Sequence, residues 1–455
     1  MDIIHFWFQN PEIWFNCSKT IDQEITQLFG ERVKNAILST RPDKFQDLEN
    51  IILLDQLSRH VDRVWKSCYA NTYHSQALEI SLKVIKEGLE HWLPEHICFM
   101  LMPLRHSNLR EHLELSLEHI CQLRRGCSEN SYYRRFYYAN LTRLSEFIQP
   151  QEYKCKSDNI NKYKQILCSS CLYQSDKEQI WSSKLNSKEV IVKSFVRIKC
   201  KYPYITISLS GGVDSMVSSF ILKKLGFQVT ALMINYQNRT ESLEEVNLVS
   251  SWCQKMEIPF YVTSITQISR TNDQDRNFYE TFTKNIRFQS YQSLQNPVVL
   301  GHNMDDCLEN IFSNIKSKRS IDNLLGMDDV SYQLGVTLIR PMLKIRKSTI
   351  IEFAQRYNIP YLWDSTPKWS QRGKYRDKLI PSIEKHEPQL LPSLLEMSNR
   401  FKKISNHYYQ LIEQNLKIDK FRVDKYSIRF MKCTEIDYWR YVFQRCLELY
   451  QFFLS

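Results

Sequence analysis

Apolar residues recur at helical spacing through the first third of the chain. Ile21, Ile25, Leu28 and Phe29 share one face, as do Leu48, Ile51, Ile52 and Leu54, and later Ala77, Ile80, Leu82 and Val84. No strand-like alternation interrupts this pattern before about Pro150, so the region reads as all-helical. The pattern changes near Val190. Apolar runs at Tyr204–Leu209, Val229–Asn235, Tyr261–Ile265 and Pro297–Gly301 alternate with helical stretches over 214–225, 241–255, 277–294 and 305–316. Such a βαβ series predicts a parallel sheet with right-handed crossovers. Residues 151–190 lose periodicity, and residues 396–455 read as one or two amphipathic helices with a strand-like piece at Tyr426–Met431. The expected organisation is an all-α N-terminal domain (1–150), a linker (151–190), an α/β domain with a parallel sheet (191–395) and a helical tail (396–455).

In open parallel sheets, ligands gather at the carboxyl ends of the strands. Two turns fall there. The first is Ser210-Gly211-Gly212-Val213-Asp214-Ser215, between a strand and a helix that closes on Gly226. Its glycines let the backbone approach a ligand closely. The free N–H groups and dipole of the helix start make an anion site. Ser210 and Ser215 add hydroxyl donors. Asp214 would repel a bare phosphate but suits one carried with Mg²⁺, which makes it the candidate metal ligand. No GxxxxGK[ST] loop is present.

The second turn is Gly301-His302-Asn303-Met304-Asp305-Asp306-Cys307-Leu308-Glu309-Asn310. Asp305, Asp306 and Glu309 gather acid on one helix face, where the helix dipole favours it. Such carboxylates can hold Mg²⁺, bind an ammonium group, or take a proton from an attacking amine.

The first turn resembles the pyrophosphate loop, SGGxDS, of the N-type ATP pyrophosphatases, with an adenine nucleotide α hydrolase-like fold. Within them the chain resembles tRNA(Ile)-lysidine synthetase over about residues 202–395. In the family's GHHxDDQxET segment, His302, Asp305, Asp306 and Glu309 match, while Asn303, Cys307 and Asn310 depart. Asn235 and Arg239 match its HVNHGLR, but Met233 and Tyr236 replace two histidines. Glu280 and Arg287 stand where the family has a Glu and an Arg, and Leu324-Leu325-Gly326-Met327 matches its LxGM. Arg340-Pro341-Met342-Leu343 resembles its RPLL. Trp363-Asp364-Ser365-Thr366-Pro367 resembles its DxTN, with Pro367 for Asn. Arg372-Gly373-Lys374-Tyr375-Arg376 resembles its RNxxR, with Gly373 for Asn.

The resemblance implies ATP and Mg²⁺ as cofactors, and tRNA and L-lysine as partners. The implied reaction has two steps: a wobble cytidine is adenylated with release of pyrophosphate, and the lysine amine then displaces AMP. Ser210–Ser215 would cradle the pyrophosphate. Asp214, His302, Asp305, Asp306 and Glu309 would form the catalytic set, with Asp305 and Asp306 orienting the amine. Arg287, Arg372 and Arg376 would contact RNA or the adenylate. Residues 368–378 carry five basic residues and two aromatics, a composition suited to phosphates and an exposed base.

Three N-terminal stretches stand out: Phe6-Trp7-Phe8 with Trp14-Phe15, Leu53 to Arg59, and Met102 to Ser107. They resemble an uncharacterised bacterial family of all-α, tetratricopeptide-like domains over about residues 2–125. The aromatics read as core. Asp55, Arg59, Arg105 and His106 admit two readings, a polar site or an ion pair between Asp55 and Arg59 that orients helices.

The 455 residues, 43% hydrophobic and 24% charged, suit a globular protein of two or three domains. A net charge of +11 favours a polyanionic partner. No window of about eighteen apolar residues exists, and the first residues lack the basic region of a signal peptide. The thirteen cysteines follow no framework spacing, which with the foregoing gives a cytoplasmic expectation. Cys168 and Cys171 form a CxxC with Cys155 upstream, one ligand short of a zinc ribbon. The linker therefore reads as a basic tether. A homodimer is compatible with the sequence. Two alternative functions stay open: tRNA thiolation by a related enzyme, and a non-catalytic RNA-binding or scaffold role suggested by the replaced histidines.

Overall fold

The computed structural model describes residues 2–14, 18–124, 131–168, 173–199, 201–237, 241–268, 276–319, 323–362 and 371–415. The chain divides into two compact units. One comprises Met1–Pro150, Tyr236–Asn238 and Thr263–Ser293; the other comprises Gln151–Asn235, Arg239–Val262 and Leu294–Ser455.

Among its described residues, the stretch before Gln151 contains helices and no strand. Its longer helices are Lys19–Lys34, Tyr69–Glu87, Arg110–Arg124 and Ser131–Ser145. Ser18 caps the first by accepting from the Ile21 N–H at 3.3 Å, satisfying one of the donors a helix start leaves open. The apolar stripes form the core: Ile25, Phe29, Leu48, Ile51, Ile52, Leu54 and Ala77 are all buried. The N-terminal aromatics are core as well. Trp7 and Trp14 meet the Phe99 ring edge-on, with centroids 5.4 and 5.0 Å away. Phe15 lies outside the described residues. The turn Ile52–Leu57 is π-helical, a rare local geometry that recurs at functional sites.

The helix Arg276–Ser293, expected as a crossover of the α/β domain, groups with the helical unit instead. Its Phe278 stacks on Tyr138 with centroids 3.9 Å apart, and Ser290 accepts from the Thr263 hydroxyl at 2.9 Å.

The second unit holds a seven-stranded sheet. Its strands are β1 (Gln151–Glu152), β2 (Tyr204–Ser208), β3 (Gln228–Asn235), β4 (Phe260–Ser264), β5 (Val298–Val299), β6 (Val330–Gln333) and β7 (Val336–Ile339), in the order β1-β4-β3-β2-β5-β7-β6. The pairs β2–β3, β2–β5 and β5–β7 are parallel, and both edge pairs are antiparallel. Four helices matter for the site: α1 (Val213–Lys224), α2 (Ser242–Lys255), α3 (Met304–Lys316) and α4 (Lys347–Arg356). The core joins Ile205 and Ile207 of β2 to Val217 and Phe220 of α1, Trp252 of α2 and Phe353 of α4. The buried Trp252 indole donates to the Ser219 hydroxyl at 3.0 Å, so no polar atom is stranded there.

Strand order reverses at β2. The chain proceeds to β3 and β4 on one side, then returns to β5 on the other. The ends of β2 and β5 are thus adjacent and flank the crevice where such sheets bind ligands.

The stretch 151–190 differs from the tether expected for it. Gln151 and Glu152 pair with β4, Ile160 is fully buried, and the Trp181 indole donates to the Tyr357 carbonyl at 3.0 Å. Short 3₁₀ turns at Ile160–Ile166 and Ser175–Ser182 carry these anchors, and so brief a helix shows no period in the sequence. The Cys168 N–H donates to the Tyr361 carbonyl; Cys171 lies outside the described residues. Of the tail, Leu390–Asn415 is one helix, and Tyr426–Met431 lies outside the described residues. Among the described residues no helix is long and apolar enough to cross a membrane.

Candidate active site at the ends of β2 and β5

The loop after β2 has little freedom. Gly211 sits at φ +81°, and a Cβ there would lie 2.4 Å from Leu362 Cδ1. Its carbonyl accepts from the Leu362 N–H at 2.9 Å. The Ser215 hydroxyl donates to the Gly212 carbonyl at 2.9 Å and accepts from the Ser210 N–H at 3.2 Å. These bonds tie the two ends of the loop together and hold the first turn of α1, whose N–H groups have no intrahelical acceptor.

The second loop presses against the first. A Cβ on Gly301 would stand 3.0 Å from both Asp214 Cβ and the Ser215 nitrogen, so any side chain there would push the two loops apart by a few tenths of an ångström. Asn303 caps α3: its side-chain oxygen accepts from the Asp305 and Asp306 N–H groups at 2.9 and 3.2 Å, while Asp306 accepts from the Asn303 N–H at 3.0 Å. The Asn303 amide then donates to Asp214 Oδ1 at 3.1 Å, joining the two loops. A residue that departs from the family pattern is thus the one that bridges its two motifs.

Every acid of the cluster is paired. Asp214 meets the Lys347 ammonium at 2.5 Å. Asp305 accepts from the Lys347 N–H at 2.8 Å and pairs with Arg346 at 3.1 Å. Asp306 pairs with Arg372 at 2.9 Å. The Glu309 side chain is fully buried and receives Arg372 at 2.7 Å and Arg376 at 2.9 Å. The sequence offered these arginines as contacts to RNA or adenylate, and Glu309 as catalytic. In the structure the buried Glu309 holds both guanidiniums by ion pairs. His302 Nδ1 accepts from Arg340 Nε at 3.3 Å, which leaves the imidazole proton on Nε2.

Burial pushes the Asp214 carboxyl above the usual carboxylate range; the Lys347 ammonium opposes that shift, and the Asp306 charge adds to it. Burial and the neighbouring Asp306 push the Cys307 thiol up to about 12, so it stays protonated near neutrality. Among the described residues no group of three or more His, Cys, Asp or Glu side chains is arranged to hold a metal ion.

One unit therefore brings together Ser210–Ser215, His302, Asp305, Asp306, Glu309, Arg372 and Arg376, and adds Lys347 and Arg346. Those two were legible only as part of a general excess of basic residues. Arg287 groups with the helical unit, where it hydrogen-bonds Tyr236 and lies over the Phe288 ring at 5.8 Å. Met233 is buried in β3, a core position. Arg239 and the segment Trp363–Pro367 lie outside the described residues.

A family model described as a PP-loop domain matches residues 185–383, and one described as a bacterial protein of unknown function (DUF924) matches residues 3–163. Among curated proteins, a tRNA(Ile)-lysidine synthase of Staphylococcus aureus is 26% identical over 225 residues, 47% of this chain and 51% of that protein. One from Chlamydia muridarum is 28% identical over 221 residues, 47% of this chain and 64% of its own length. The chain spans about half the length of the first of these relatives. Among solved structures, the U34-tRNA thiolase NcsA of Methanococcus maripaludis, with its [4Fe-4S] cluster, is 15% identical at a TM-score of 0.38, over 58% of this chain and 87% of its own. An NH3-dependent NAD synthetase of Campylobacter jejuni is 17% identical at a TM-score of 0.29, over 55% of this chain and all of its own. The mostly parallel sheet of the α/β unit lies largely within the stretch that the PP-loop model matches.

Proposed function

We propose that the α/β unit is an ATP-dependent tRNA-modifying ligase that adenylates a wobble cytidine and joins lysine to it. The observation that carries this reading is the bridge from Asp214 through Asn303 to the acidic helix start, which sets a nucleotide loop beside an amine-handling cluster. Likeness to the curated lysidine synthases supports it.

In this reading the N–H groups of Ser210–Ser215 bind the β- and γ-phosphates of ATP, with the Lys347 ammonium within reach of the same charge. Stabilising the phosphate charge as the α–β bond breaks is positioning and electrostatics. Mg²⁺ fits the site. It needs only one or two carboxylates beside phosphate oxygens and water, and Asp214 keeps one oxygen that meets only an amide. When bound, the ion would neutralise phosphate charge. Asp305, reached by Arg346 and by a backbone N–H, would receive the ammonium of lysine and its proton. Arg372 and Arg376, steadied by Glu309, would turn their remaining N–H groups to the RNA.

Sulfur transfer needs a thiolate beside the activated base. Cys307, the cysteine in the acidic turn, is buried and held protonated, which favours the amine. The test is pyrophosphate release that requires tRNA, followed by AMP release that requires lysine as well. AMP release that ignores lysine would reject this reading.

A further inference from the structure

The helical unit contains a cavity of about 430 Å³ lined by Arg59, His74, Arg105, His106 and Arg143 among others. Two of these side chains are held by Asp55, fully buried in the π-helical turn. It receives His106 Nδ1 at 2.9 Å and Arg59 at 3.1 Å. The Asp55 carboxyl is held below its usual range: burial opposes this, and the His106 and Arg59 charges outweigh burial. With Asp55 on Nδ1, the other imidazole nitrogen, Nε2, faces Arg105 at 3.5 Å.

The charges do not balance. Three guanidiniums stand against one buried carboxylate, and Glu146, which pairs with Arg143, is half exposed. Among the described residues Arg105 has no carboxylate partner. The Nε atoms of Arg59 and Arg105 and both ring nitrogens of His74 are buried without a hydrogen bond. Burial first, then the Arg143 and Arg59 charges, push the Arg105 guanidinium below its usual range, against the pull of Asp55 and Glu146. A fold gains nothing from stranded donors and crowded cations, each of which costs stability. An anionic ligand would satisfy both.

We propose that this cavity is a binding site for a small dianionic ligand, a phosphomonoester, with Arg59, Arg105 and Arg143 on the phosphoryl oxygens. Asp55 takes up one of the three guanidinium charges from beneath, and the half-exposed Glu146 can release Arg143 to a competing phosphoryl group, which frees two positive charges for a dianion. Arginine forks fit phosphoryl oxygens in pairs. A volume of about 430 Å³ suits a small metabolite. Asp55 then acts through His106, fixing its ring so that Nε2 steadies the Arg105 guanidinium.

The test uses the full chain titrated calorimetrically with inorganic phosphate, with the nucleotide loop saturated by α,β-methylene ATP. One phosphate should bind. Arg105→Gln should weaken it at least tenfold, and Arg143→Gln, at a more exposed position, should weaken it too. Without ligand, Arg105→Gln should melt no lower than the parent, since it relieves repulsion. Phosphate should raise the melting temperature of the parent and leave that of the variant unchanged. No binding, equal binding by Arg105→Gln, or displacement of the phosphate by tRNA would overturn the proposal. If the ATP analogue fails to bind, the function proposed for the α/β unit is in question, while the loss caused by Arg105→Gln still reports on this cavity.

Discussion

The Lys347 ammonium lies 2.5 Å from Asp214 Oδ2, across 133 residues of sequence. It is the counter-ion that the fold brings to the acid of the Ser210–Ser215 loop. Asp214 enters α1 beside Asn303 and not far from Asp306, and without Lys347 its charge would face only an amide and another acid. Lys347→Met should therefore reduce AMP formation by about 100-fold or more, the scale of losing one charge-stabilising group in an enclosed site. Steady-state turnover measures it, and an effect below about threefold would remove Lys347 from the machinery.

Asp214→Asn should abolish turnover without lowering stability at neutral pH. The folded carboxyl titrates above its unfolded value, so between those two points the folded state binds more protons. That group's contribution to stability accordingly falls as pH rises through the window and is recovered on acidification. The melting temperature of Asp214→Asn should match or exceed the parent at pH 7, with the difference shrinking toward pH 4. A variant less stable at pH 7 than at pH 4, relative to the parent, would contradict the shift.

Gly211→Ala combines a positive φ with a Cβ only 2.4 Å from Leu362 Cδ1. It should cost about 1–3 kcal/mol of stability, read from the denaturant midpoint, and weaken nucleotide binding in parallel. A neutral midpoint would mean the loop is not held as described.

Glu309→Gln should destabilise the protein more than Arg372→Gln. Loss of Glu309 sets two guanidiniums on a buried neutral amide with Asp306 as the one acid left to them, at about 1–3 kcal/mol given their partial exposure. Loss of Arg372 leaves Glu309 paired with Arg376. The reverse ranking in chemical denaturation would show that Glu309 does not organise the pair.

The parts legible in the sequence were those whose chemistry is contiguous. Ser210–Ser215 and His302–Glu309 each lie on one turn, so residue type and spacing alone placed them at strand ends. Lys347 and Arg346 were not legible as partners of these acids, because strand order brings them in from far along the chain. Asn303 looked like a defect because a side chain that caps a helix and bonds across a loop shows no pattern in one dimension. The burial of 151–190 was hidden for a related reason: Ile160 and Trp181 are single anchors in short turns, and periodicity needs length. In the helical unit, Asp55, Arg59, Arg105 and His106 do converge, and the ion pair weighed from the sequence joins Asp55 to Arg59.

The most direct measurement of the central claim is the modified nucleoside itself. The protein is incubated with ATP, Mg²⁺, lysine and tRNA bearing a CAU anticodon, and the RNA is digested and weighed by mass spectrometry. Lysidine should appear, persist in Cys307→Ala because that thiol is buried and protonated, and fall sharply in Asp305→Asn. A thiolated base, or ATP consumed with every nucleoside unchanged, would contradict the account.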